Sequence, residues 1–188
     1  MNKYLNIPNT LTITRLSLVP IFIIIFNVSW KFNCIAAGLI FLLASLTDYL
    51  DGYLARKLQQ ESAFGKFLDP VADKLIIVVA LVLLVQHYAS IYFTIPAIII
   101  VCREITVSAL REWMAEVGKS KNVTVCWIGK LKTVLQMLAV SMFLAIPKEY
   151  THMVFIAYIF LYIAVILTLW SMIVYLLASR RSFGSCIE

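Results

Sequence analysis

The chain alternates long apolar runs with short polar breaks, and the runs have the length of helices rather than strands. Measured against the roughly 20 apolar residues that a membrane-spanning helix needs, six candidates emerge. They run from about Thr10 to Val28, Asn33 to Lys57, Gly65 to His87, Ile91 to Glu116, Trp127 to Ile146 and His152 to Ala178. No internal repeat, Gly/Ser-rich linker or low-complexity tract divides them. Residues 1–188 therefore read as one transmembrane domain, all-α and polytopic. Lys3 ahead of the first run imitates a signal peptide, but no small-residue cleavage site follows Phe26 and more runs come after it. The first run reads as a retained helix.

Composition agrees. The 188 residues are 62% hydrophobic, with a mean hydropathy of +0.93, above the roughly 45–50% apolar share of soluble domains. Charge then orders the helices. Of 16 Lys and Arg residues, only Lys31 and Lys148 fall in the loops after helices 1 and 5, and QHYAS after helix 3 has none. The others lie near the N-terminus, in the helix 2–3 and 4–5 connections, or in the Arg180–Arg181 pair. Cytoplasmic loops carry the Lys/Arg excess, which places both termini and those two connections in the cytoplasm. The net charge of +6 thus reflects topology and anionic lipid headgroups. No basic stripe with interleaved aromatics points to nucleic acid.

Three of the runs are too short without their charges. Helix 2 has 14 uncharged residues from Cys34 to Thr47, helix 3 has 12 from Leu75 to Gln86, and helix 4 has 12 from Ile91 to Cys102. Each span must include ionisable residues, at a cost of roughly 2.5–3.5 kcal/mol apiece on insertion scales, and such residues face a water-filled cavity or a functional partner. Several helices making this concession at the same end imply a polar cavity open to the cytoplasm.

The densest charge lies in DYLDGYLARKLQQESAFGKFLDPVADK, Asp48 to Lys74. At roughly 100° per residue, Asp51 and Gly52 flank Asp48 and Ala55 returns to its face, while Asp69 and Asp73 share a second face with Gly65. Two acidic stripes with small residues beside them face each other across one connection. Four carboxylates in one pocket repel, by about 3 kcal/mol per pair at 5 Å and an effective dielectric near 20. The pocket must hold protons or cations. Carboxylate oxygens without nearby His or Cys favour Mg²⁺ or Mn²⁺, and four aspartates can bridge two such ions. The small residues leave room for a nucleotide diphosphate.

The order D-x2-D-G-x2-A-R-x8-G-x3-D-x3-D, met by Asp48, Asp51, Gly52, Ala55, Arg56, Gly65, Asp69 and Asp73, resembles the signature of the CDP-alcohol phosphotransferases. NIPNTLTITRL, FGKFLDPVADK, CREITVSALREWMAEVGK and WIGKLKTVLQM resemble the bacterial branch that makes phosphatidylglycerol phosphate. The resemblance implies a dimetal enzyme of the bacterial inner membrane, multi-pass and homodimeric, with a cytoplasmic active site. It would use CDP-diacylglycerol and sn-glycerol 3-phosphate and release CMP. It also implies that Asp48, Asp51, Asp69 and Asp73 hold the metals, that Asp73 is the general base, and that Gly52, Ala55, Arg56 and Gly65 line the nucleotide pocket.

An acceptor carrying a phosphate dianion needs fixed cations. Arg103, Arg111, Lys130 and Lys132 are the candidates. Arg103 lies deepest, Arg111 shares a face with Glu104 that can neutralise it, and Lys130 and Lys132 point apart, so one of them reaches the cavity. Asn9, Thr12 and Arg15 either cap and anchor helix 1 or contact substrate phosphate. Cys34, Cys102, Cys126 and Cys186 show no metal spacing and read as free thiols, His87 and His152 read as interfacial, and the Asn122 sequon falls in a cytoplasmic loop. Two other readings stand beside this one. Another acceptor alcohol is compatible with the signature. Intramembrane acids also mark ion pathways, but a transporter predicts acids near mid-bilayer and broken helices or inverted repeats, whereas here the acids lie toward one end.

Overall fold

In the computed structural model the described residues are 7–28, 30, 32–58, 63–116 and 127–183, with side chains described for 13–28, 30, 32–47, 71–72, 74–114 and 131–176. They form six helices and no strand: α1 Ile7–Asn27, α2 Asn33–Leu58, α3 Ala63–Tyr88, α4 Ile91–Glu116, α5 Trp127–Ala145 and α6 Thr151–Phe183. α1 begins at Ile7 rather than Thr10, because Pro8 in the first turn lacks an N–H that the helix could not use there anyway. α6 continues to Phe183 rather than stopping at Ala178, since basic residues such as Arg180 and Arg181 suit a helix C-terminus.

α4 over Ile91–Met114 and α6 over Thr151–Leu176 are long and apolar enough to cross a membrane, while the apolar parts of α1, α2, α3 and α5 are shorter. The outward faces are oily. Ile35, Leu39, Leu42, Leu43 and Leu46 are exposed on α2, and Phe155, Ile159, Ile166, Trp170 and Ile173 on α6. Contiguous apolar faces of this length exceed what a water-soluble monomer presents and fit contact with lipid.

Two compact units divide the chain: residues 1–89 with 140–154, and residues 90–139 with 155–188. In the first, α1 packs on α2 and α3, and α2 on α3. Rings tie one end of this unit together. Phe41, Phe22, Phe26, His87, Tyr88 and Phe143 follow one another with centroids 6.5, 6.3, 5.5, 5.3 and 5.2 Å apart. Lys148 sits 5.2 Å from the centre of the Tyr88 ring and donates to the His87 carbonyl. The C-terminal ends of α1, α3 and α5 therefore gather at one end, as alternating up and down helices require. His87 serves this packing, in keeping with its reading as a residue away from catalysis.

The inward face of α2 is made of Ala37, Gly38, Phe41 and Ala44, all buried. Small residues let helix backbones approach, which is how helices associate where lipid is as apolar as leucine. Gly38 makes the closest approach: a Cβ there would stand 2.8 Å from the Ala145 Cβ and 3.2 Å from its Cα.

In the second unit α4 and α6 run parallel. Tyr162 Oη donates to the Tyr92 carbonyl at 3.0 Å, and the Phe93 and Tyr158 rings lie 6.4 Å apart edge to face. The buried stripe of α6 is Ala157, Leu161, Ala164, Val165, Thr168, Ser171 and Tyr175, a helical spacing on one face.

Gly38→Ala is expected to cost about 1–3 kcal/mol through overpacking. Melting of the purified protein in detergent checks it, and adding Ala145→Gly should recover part of the loss. Unchanged melting of the single variant would contradict the close approach.

Candidate active site

The four aspartates lie on α2 and α3, the two helices that pack on each other in the first unit. Continuing the buried register Ala37, Phe41, Ala44 along α2 in steps of three and four reaches Asp48, Asp51 or Gly52, and Ala55. Running the register Ala72, Ile76, Ala80, Leu84 of α3 backwards reaches Asp69 and Gly65, with Asp73 beside Ala72. α3 does begin early enough to carry Gly65. Both acidic segments stand at the helix ends remote from the Phe26–His87–Lys148 cluster, about 20–25 Å along the axes at 1.5 Å per residue. The side chains of Asp48, Asp51, Gly52, Ala55, Arg56, Gly65, Asp69 and Asp73 lie outside the described residues, as do those of Asn9, Thr12 and Lys130.

Asn9 falls inside the first turn of α1, not at its cap. Arg15 is buried. A long side chain 2% exposed serves the interior.

The acceptor candidates meet in the second unit. Glu104 Oε1 accepts from Arg103 Nη1 at 2.8 Å and from Lys132 Nζ at 3.2 Å. Arg103 is 5% and Lys132 3% exposed, so one half-buried carboxylate serves two buried cations. Arg103 Nη2 also donates to Ser171 Oγ at 3.3 Å. The pairing of Glu104 with Arg111 expected from their shared face is not what forms. Arg111 turns to α6, where Nη2 donates to Tyr175 Oη at 3.0 Å and the guanidinium carbon lies 5.3 Å from the ring centre. Register along one helix does not report the partners that neighbouring helices bring: Lys132 comes from α5, and Ser171 and Tyr175 from α6. Of Lys130 and Lys132, only Lys132 has a described side chain, and it is buried.

Arg103, Arg111 and Lys132 against Glu104 give +3 − 1 = +2, and both arginines act electrostatically on the Lys132 ammonium. Two buried polar atoms in this region, Arg103 Nε and Thr168 Oγ1, have no hydrogen-bond partner among the described residues. Sequence reasoning missed Thr168, Ser171 and Tyr175. Their three- and four-residue spacing was visible, but hydroxyls are common in apolar helices and the spacing alone does not single them out. Cys34 and Cys102 are free thiols, as expected.

Comparison with known proteins gives this arrangement a family. The sequence model described as CDP-alcohol phosphatidyltransferase matches residues 5–170. Proteins named CDP-diacylglycerol–glycerol-3-phosphate 3-phosphatidyltransferase are similar over nearly the whole chain. The one from Pseudomonas fluorescens is 51% identical over 93% of this chain and 90% of its own. Those from Shigella flexneri serotype 5b and Escherichia coli K12 are 49% and 48% identical, each over 93% of this chain and 95% of its own. The chain belongs to the CDP-alcohol phosphatidyltransferase family.

Proposed function

We propose that the chain transfers the phosphatidyl group of CDP-diacylglycerol to sn-glycerol 3-phosphate, giving phosphatidylglycerol phosphate and CMP, in phospholipid biosynthesis. It is a transferase, and the similarity of about half of all residues to relatives bearing that name is the observation that carries the reading. The cations gathered near Glu104 in the second unit support the acceptor: Arg103 and Lys132 are buried and Arg111 is exposed. The excess of cations over Glu104 suits a phosphomonoester, whose negative charge an alcohol such as serine or glycerol does not supply. We assign the acceptor phosphate to Arg103, Arg111 and Lys132.

The donor set of α2 and α3 fits divalent cations: four aspartates in inward registers of two packed helices, with hard oxygens for Mg²⁺ or Mn²⁺. Asp48, Asp51, Asp69 and Asp73 would hold two ions, which when bound neutralise the diphosphate and the departing CMP. Gly52, Ala55, Arg56 and Gly65 line the nucleotide side. Asp73 takes the proton of the acceptor 1-hydroxyl. The freed oxygen bonds to the phosphorus bearing diacylglycerol as the bond to the CMP oxygen breaks.

The protein is membrane-associated, and we read it as multi-pass in the bacterial inner membrane with termini and active site cytoplasmic. The distribution of Lys and Arg supports this orientation. Length supports the spans: α2, α3 and α4 have 26 residues each, about 39 Å against a hydrocarbon core of ~30 Å once their polar ends are included. The family match across residues 5–170, which draws on both compact units, supports one functional domain. The family resemblance supports a homodimer.

Purified protein given CDP-diacylglycerol and Mg²⁺ or Mn²⁺ should release CMP with glycerol 3-phosphate, and much less with inositol 1-phosphate, serine or glycerol. Equal release with serine would overturn the acceptor. Asp51→Asn should lower turnover by at least about a hundredfold, since one ligand charge is lost from a shared site. Near-normal turnover of a well-expressed variant across a range of metal concentrations would remove Asp51 from the metal site.

A further inference from the structure

Several serine and threonine hydroxyls on the other helices are satisfied at home. Ser17, Ser45, Thr94 and Thr106 each donate to the carbonyl four residues earlier, at 2.8–3.0 Å, the economical arrangement for a polar group in an apolar setting. α6 departs from this along one stripe. Ser171 Oγ receives Arg103, Tyr175 Oη receives Arg111, and Thr168 Oγ1, fully buried, has no partner among the described residues. From Thr151 to Leu176 this helix carries no Asp, Glu, Lys or Arg, so nothing about its charge associates it with a phosphate.

We propose that α6 is the positioning wall of the acceptor pocket: Ser171 and Tyr175 hold the guanidiniums of Arg103 and Arg111 in the orientation that receives the acceptor phosphate. The inference rests on the acceptor reading above. A guanidinium has five N–H donors in a rigid fork. The contacts to Glu104 and Ser171 occupy Nη1 and Nη2 of Arg103 while its Nε is without a partner among the described residues. The side chain is thus fixed in direction with donor capacity to spare. For Arg111 the Tyr175 hydroxyl fixes one nitrogen and the ring face carries the cation, so the fork is held without being neutralised. A hydroxyl is the right device for this task. A carboxylate in its place would repel the incoming phosphate, whereas a neutral acceptor orients the cation and leaves the charge available.

Because removing these hydroxyls leaves the net charge unchanged, the sign of the effect is fixed. Tyr175→Phe and Ser171→Ala are each expected to raise KM for glycerol 3-phosphate about three- to tenfold, the loss of one modest hydrogen bond that orients a cation. KM for CDP-diacylglycerol should stay within twofold. Ser171→Thr should restore the acceptor KM. In an Arg111→Lys background Tyr175→Phe should add nothing further, since the group it orients has gone. Tyr162→Phe removes an α6 hydroxyl that also reaches α4, at the Tyr92 carbonyl away from the cations, and should leave both KM values alone. Protection of each purified variant by inorganic phosphate against thermal unfolding is measured in parallel, so that the pocket is tested even if the wild type prefers another acceptor. Weaker phosphate protection in Tyr175→Phe and Ser171→Ala than in Tyr162→Phe supports the proposal. Equal protection in all three, absent protection in the wild type, or a lowered melting temperature with both KM values unchanged overturns it and leaves the stripe a helix-packing device.

Discussion

One carboxylate oxygen of Glu104 holds Arg103 and Lys132 together inside helices whose outer faces are apolar, and the second unit depends on that pairing. A charge carried on an apolar helix must find its opposite within the fold, because neither lipid nor packed alanine and valine can solvate it. Stripping Glu104 from this triad would leave two buried cations uncompensated, at a cost on the order of 3–5 kcal/mol. The same constraint sorts each helix by face. Leucine and isoleucine stand outside on α2 while Ala37, Gly38 and Ala44 stand inside.

α2 and α3 carry the four aspartates of the signature, for which we propose a cation site. α4 and α5 bring Arg103, Arg111 and Lys132 around Glu104, and α6 adds the Ser171 and Tyr175 hydroxyls that receive the two arginines. A phosphatidyl transfer from a nucleotide diphosphate to a phosphorylated alcohol needs both: hard oxygens for the metals that neutralise the diphosphate, and guanidinium and ammonium donors for the acceptor. The acids are an extension of the helix-packing pattern. Small residues that let α2 approach its neighbours give way, in the same register, to Gly52 and Ala55 beside Asp48 and Asp51.

Helices were legible because apolar runs of spanning length have few alternatives. α4 matches its expected bounds, Ile91 to Glu116. The ends of α1 and α6 were less so, since counting apolar residues stops at Asn9 and Arg180 while backbone hydrogen bonding continues past them. Within the acidic signature, residue types at fixed spacing in two helices were enough to point to the family, which the match over residues 5–170 shows. The cation cluster was legible only as a roll of candidates. Glu104 was matched to Arg111 by same-helix register, whereas its partners are the adjacent Arg103 and a lysine from α5, and the positions of neighbouring helices are not written in one helix's periodicity. The α6 hydroxyls were silent for the same reason. A serine in an apolar helix satisfies itself by default, and what distinguishes Ser171 is the arginine that α4 presents to it.

The central claim is that the inward registers of α2 and α3 converge on a site built for divalent ions. Equilibrium binding of Mn²⁺ to the purified protein, followed by its paramagnetic resonance signal with CDP present, tests it most directly. The account predicts about two bound ions per chain, in line with four carboxylates at a dimetal site, and loss of that binding in Asp69→Ala. Stoichiometric Mn²⁺ binding that survives Asp69→Ala unchanged, or no binding by the wild type, would contradict it.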